Sequence, residues 1–201
     1  MKVRLASAAV AIVAFAYASG AQAQDASGYG PPPPGWYVRG EAGGSFSQRV
    51  GGDPTLHGEN GWTVGGAVGK RFGNGFRTEG ELLYSEADGK DGQTGRMKTL
   101  AGLLNAYYDF TTATKFRPFV GAGLGVGQVQ LDGGLHHGDS TGFAYQLTAG
   151  VAYPIDDRWS AQVAYRYFGV NDVKIGPDAS PLHGDYHDQA VTLGLAYAFG
   201  G

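Results

Sequence analysis

From Trp36 onward, apolar residues alternate with small or polar ones in a series of short segments, each with a period of two. In the first, Trp36, Val38, Gly40, Ala42 and Phe46 share one face, while Tyr37, Arg39, Glu41, Gly43 and Ser45 share the other. The second sets Trp62, Val64, Gly66 and Val68 against Thr63, Gly65, Ala67, Gly69 and Arg71. The fifth sets Pro118, Val120, Ala122, Leu124 and Val126 against Arg117, Phe119 and the glycines 121, 123, 125 and 127. A period of two belongs to an extended strand, whose successive side chains point to opposite faces of a sheet. Comparable segments at 76–85, 99–110, 143–153, 160–168 and 191–199 bring the number of expected strands to eight. Leu103 interrupts the alternation of the fourth.

The connections supply a second periodicity. They fall at 48–60, 73–75, 86–96, 111–115, 132–141, 154–158 and 169–188, so long and short alternate along the chain. Short turns at one end and long loops at the other are the layout of a transmembrane barrel, with the turns in the periplasm and the loops outside. A soluble sandwich gives no reason for such parity. The expected fold is all-β: an eight-stranded antiparallel up-and-down transmembrane β-barrel with short periplasmic turns, long extracellular loops and both mature termini periplasmic.

Which face meets lipid follows from where the charges lie. Arg39, Glu41, Arg77, Glu79, Glu81, Arg117 and Arg166 share their face with most of the glycines, as a narrow interior requires. The bulky apolar residues occupy the opposite, broader face. A lipocalin-like barrel would have the reverse arrangement. Aromatics near segment ends, among them Trp36, Phe46, Trp62, Phe76, Tyr84 and Phe199, suit the interfacial girdles of a membrane barrel.

Composition refines this picture. Lys2 and Arg4, an apolar run over 5–18 and Ala21-Gln22-Ala23 read as a signal peptide for the general secretory pathway, cleaved after residue 23. Residues 24–34, with four consecutive prolines at 31–34, read as a periplasmic polyproline linker, and 35–201 as the barrel. Losing Lys2 and Arg4 takes the formal charge from −3 to −5, which disfavours a nucleic-acid partner. With no cysteine there is neither a disulfide framework nor a thiolate metal site. Thirty-six glycines weaken any helical reading.

Several stretches resemble the small outer-membrane β-barrel family that includes opacity-type, porin-family barrels and is similar to OmpX/Ail and the OmpA barrel. They are Leu104-Asn105-Ala106-Tyr107-Tyr108-Asp109-Phe110, the glycine-alternating run 118–126, Tyr165-Arg166-Tyr167-Phe168-Gly169 and Leu195-Ala196-Tyr197-Ala198-Phe199. The resemblance covers nearly the whole mature chain. It implies outer-membrane lipids and lipopolysaccharide as surroundings and the barrel-assembly machinery as a partner in biogenesis. It also implies roles ranging from adhesion to membrane stabilisation, on host or surface ligands. Such barrels usually end on the aromatic that the assembly machinery reads, whereas this chain adds Gly200-Gly201 after Phe199.

Three sets of residues are candidates for chemistry. Inward charges in a narrow lumen must pair or be hydrated, so Arg39, Arg77, Arg117 and Arg166 are expected to meet Glu41, Glu79, Glu81 and Asp109. The result is an inert ionic plug or, alternatively, the gate of a low-conductance, porin-like channel. The five histidines, His57, His136, His137, His183 and His187, all fall in the expected extracellular loops beside several aspartates. They are candidates for a loop metal site, although no two show ligand spacing on a regular element. Those four loops carry 11 acidic and 4 basic residues, a composition that suits cation-bridged contact with lipopolysaccharide. A lipid A-modifying enzyme is the rival class. The late segment Tyr165-Arg166-Tyr167-Phe168 lacks the His-x-Ser of the deacylase type, and Ser180 with His183 lies on a loop without preorganisation. The run Gly121-x-Gly123-x-Gly125-x-Gly127 has strand spacing, not that of a nucleotide loop. The sequence therefore indicates a non-enzymatic, cofactor-free, monomeric barrel that acts in recognition, adhesion or envelope stability through its loops.

Overall fold

The computed structural model describes residues 32–50, 56–89, 96–132, 138–175 and 182–199. Eight strands run in chain order: β1 (Gly35–Val50), β2 (Leu56–Arg71), β3 (Phe76–Gly89), β4 (Arg96–Asp109), β5 (Arg117–Asp132), β6 (Gly138–Pro154), β7 (Trp159–Ile175) and β8 (Leu182–Phe199). Each pairs antiparallel with the next, and β8 returns to β1 with Trp36 opposite Phe199, so the sheet closes as a barrel. Closure leaves no sheet edge with unpaired backbone groups, the condition for crossing a bilayer with strands. The signal peptide expected over 1–23, most of the 24–34 linker and Gly200-Gly201 lie outside the described residues.

The barrel has two unlike ends. At the turn end, where both described termini lie, residues 72–75, 110–116 and 155–158 join strands tightly. Gly73 and Gly75 adopt φ of 77° and 88°, a left-handed backbone that glycine reaches without steric cost. In the last turn Asp156 Oδ1 accepts the backbone N–H groups of Arg158 and Trp159 at 2.8 and 2.6 Å. Those donors hold its carboxyl below the usual carboxylate range. A depressed carboxyl stabilises its turn above the ordinary aspartate value and loses that contribution only as pH falls through the lower, folded value. The Arg158 and Trp159 amide resonances should therefore stay fixed through about pH 4 and move together only in stronger acid. Movement centred on the ordinary aspartate range would contradict the arrangement.

At the loop end the strands run further than their composition suggests. β1 and β2 extend to Val50 and from Leu56, β3 and β4 to Gly89 and from Arg96, β5 and β6 to Asp132 and from Gly138, β7 and β8 to Ile175 and from Leu182. The expected loops 48–60, 86–96, 132–141 and 169–188 are thus partly ladder, because backbone pairing continues wherever two strands stay in register, whatever their side chains. The placement of all histidines in loops is corrected accordingly. His57 lies in β2, and His183 and His187 lie in β8, while His136 and His137 fall outside the described residues.

The two faces separate as the alternation predicts. Leu104 is 77% exposed and Leu193 67% exposed on the outer face, whereas Tyr37, Phe119 and Gln146 are fully enclosed within. Toward the turn end the outer band finishes in contacting rings such as Phe76–Tyr108, Phe116–Tyr153 and Trp159–Tyr197. Lys70 lies over the Trp36 ring at 5.6 Å, its stem along the wall. Leu103 does not break the alternation. It faces inward at 3% exposure beside Leu83.

Candidate functional site: the lumen

Inward-facing residues fill the barrel in two layers of different chemistry. Nearer the turn end is an ionic layer. Arg39, on β1, directs Nε to Glu79 at 3.1 Å and pairs with Glu41 on its own strand. Its Nη2 also lies 3.6 Å from Glu81. Arg77, next to Glu79 on the inward face of β3, binds that carboxylate at 2.5 Å and Asp109 of β4 at 3.1 Å. Arg166 reaches across from β7 to Glu41 and, at 2.6 Å, to Glu81. Seven of the eight charges expected on this face are thereby brought into contact. Arg117 is the exception. It stands half-buried at the start of β5, interacts electrostatically with Asp109, and its Nε has no hydrogen-bond partner.

Neutral groups complete the layer. The Tyr37 hydroxyl donates to Glu79, and the amides of Asn105 and Gln146 donate to Glu81 Oε2 at 2.7 and 2.8 Å. The Arg77 guanidinium lies over Tyr107 and Phe119 at 4.2 and 4.9 Å. Glycine makes room for these large groups. A Cβ on Gly69 would overlap the Tyr37 ring, and one on Gly121 the Tyr107 ring. Tyr37, Tyr107, Asn105 and Gln146 carry no charge to mark them in the sequence, and their inward register was their one available signal.

Nearer the loop end the lumen is lined mainly by apolar side chains, with Ser85 and Thr99 buried beside them. Leu83, Ala101, Leu103, Val129, Ala144, Phe168, Val170 and Tyr186 pack together, with Met97 against them. Into this layer projects Asp188, counted with the loops from sequence but 4% exposed inside the β8 wall. Ser85 donates to its Oδ2 at 3.2 Å, while Oδ1 has no partner. Buried ionic groups cost several kcal/mol of desolvation each, a cost that the pairing and hydrogen bonds of the ionic layer offset.

His187, the histidine whose side chain is described, is not gathered with these groups. His187 faces outward, stacked on Tyr167 at 5.7 Å, with Nδ1 3.2 Å from the Tyr167 hydroxyl and 3.4 Å from that of Tyr145. The side chains of His57 and His183 fall outside the described residues. Among the described residues, no group of three His, Asp or Glu side chains is arranged to hold a metal ion.

A closed eight-stranded wall, an apolar outside and a filled ionic lumen are what the outer membrane demands of a small barrel. The family profile of the outer membrane protein beta-barrel domain matches residues 7–199. The chain belongs to that family. It is an integral protein of the outer membrane, surrounded by membrane lipid. Outer membrane protein PagN of Salmonella typhimurium is 26% identical over 82% of this chain and 90% of its own length. Neisserial surface protein A has the same fold at a TM-score of 0.61 and 20% identity, covering 82% of this chain and 97% of that one. Ail, the attachment invasion locus protein of Yersinia pestis, superposes at 0.50 with 14% identity over 83% and 100%.

Proposed function

We propose that this barrel is a non-enzymatic, monomeric scaffold whose loop end, directed outward from the cell, serves surface recognition or adhesion, or else stabilises the envelope. The observation that carries the reading is the filled lumen. Arg39, Glu79 and Glu81 below and Leu83, Val129 and Phe168 above are all at most 4% exposed. Side chains this enclosed leave little room for solute flux, which supports placing function at the loop end. Host or surface ligands and lipopolysaccharide are the partners this reading names. Among the described side chains, His187 has its Nδ1 beside two tyrosine hydroxyls and makes no Ser–His pair of the hydrolase kind.

The test compares envelope integrity and surface adhesion in a deletion strain. Lost adhesion with an intact envelope supports recognition. Leaky envelopes with unchanged adhesion support the stabilising role instead. A gated, low-conductance pore is the second reading, favoured by buried lumen atoms without partners, namely Arg166 Nε and Nη1, Gln146 Oε1, Thr148 Oγ1 and Asp188 Oδ1. Water or ions could bridge them. In planar bilayers the purified protein should show no current above the lipid background; discrete openings that Arg166→Met abolishes or enlarges would establish the pore and displace the sealed scaffold.

A further inference from the structure

At the turn end the lumen holds more positive charge than its neighbours neutralise. Arg71, the last residue of β2, stands directly opposite Arg77 in the β2–β3 register, and both lie on the inward face of their strands. Like charges placed opposite one another across a ladder repel. Arg77 is bonded to Glu79, Asp109 and the Tyr37 hydroxyl. Arg71 has the face of the Tyr37 ring at 4.4 Å, while its Nε is buried and without a hydrogen-bond partner. Arg117 is in the same condition at the start of β5, its Nε also buried and unpartnered. Arg77 faces Tyr107 in the β3–β4 register, Asp109 is two residues further along β4 and faces Phe119, and Arg117 is two residues from Phe119, so the three arginines line the same end of the inward face. The carboxylate near all three is Asp109, and it is already engaged by Arg77.

We propose that this mouth is a binding cup for a small phosphate-class oxyanion, held by Arg71 and Arg117 with Arg77 behind them. A guanidinium presents Nε–H and an Nη–H in parallel, a fork that fits two oxygens of one anion. A tetrahedral oxyanion has oxygens enough to serve two such forks at once, whereas a carboxylate has two in one plane. The Arg39–Glu79 contacts close the lumen further in, so the anion enters and leaves by the same opening. With the turns in the periplasm, as proposed above, the anion comes from that compartment. The binding itself does not depend on the orientation.

The experiment is calorimetry on the full-length mature barrel refolded in zwitterionic micelles, titrated with sodium phosphate against sodium chloride and sodium acetate of equal ionic strength. Phosphate should give saturable heat that neither control gives. Replacing both arginines (Arg71→Gln with Arg117→Gln) should weaken it by about tenfold or more, the loss of two charge-assisted contacts. Asp109→Asn removes the competing negative charge and should tighten binding severalfold. This second variant gives an opposite sign should the double variant fail to refold. Phosphate heats that match chloride throughout, acetate bound as tightly as phosphate, a double variant that binds like the wild type, or an Asp109→Asn variant that binds more weakly would each overturn the proposal.

Discussion

Replacing Arg39 with methionine should destabilise the folded barrel by about 3–5 kcal/mol, the usual cost of breaking a buried ion network from one side. Arg39 is the hub of the ionic layer. It touches Glu41, Glu79 and Glu81, each almost fully enclosed. Methionine fills much of the same volume, so the expected loss arises from stranded negative charge and not from a cavity. Glu79 keeps Arg77, and Glu81 keeps Arg166, which places the effect within that range and short of complete failure to fold. Reversible urea unfolding in lipid vesicles reads the change. The double variant Arg39→Met with Glu79→Gln should recover part of the loss, because the stranded charge is then gone. Recovery of nothing, or a single-variant effect below about 1 kcal/mol, would mean that the layer is hydrated and weakly coupled.

The second large effect tests the other face. Leu104 lies mid-strand on β4 with Gly80 and Leu124 beside it in register, and is 77% exposed to whatever surrounds the barrel. Leu104→Arg should cost about 2–4 kcal/mol in bilayers, the price of a cation at mid-depth. Thr78→Arg, on the same face but two residues from the Phe76 girdle position, should cost about 0–1 kcal/mol, since its guanidinium can reach the interface. Equal costs at the two positions would contradict the depth assigned to β4.

Both experiments depend on an alternation that is legible in the chain itself. Inward and outward residues follow parity from Trp36 to Phe199, because one register error would turn a whole strand inside out. Strand ends were far less legible. Past the apolar band nothing in residues such as Glu86, Ala87 and Lys98 marks a strand, yet the β3–β4 ladder runs on through them. Asp188 was misplaced for the same reason, since its surroundings in sequence resemble a loop while its side chain points into the lumen. Leu103 misled in the opposite direction. A lumen assumed to be polar throughout makes an inward leucine look like an error, although with Leu83 and Val129 it forms the upper seal. The set of inward charges could be read off the chain, but not their partners. Which acid an arginine meets depends on shear around the barrel, and the neutral donors Tyr37, Asn105 and Gln146 carry no signature beyond parity.

The strands are 14 to 18 residues long, while a tilted strand needs only about 9–11 to traverse the hydrocarbon. At the loop end the surplus carries the antiparallel ladder past the apolar band between several strand pairs, as Val50 opposite Leu56 and Asp88 opposite Arg96 show. Backbone pairing of this kind sets the spacing of the strand ends whatever side chains they carry. Outward substitutions on those ends should therefore leave the closure of the barrel unchanged.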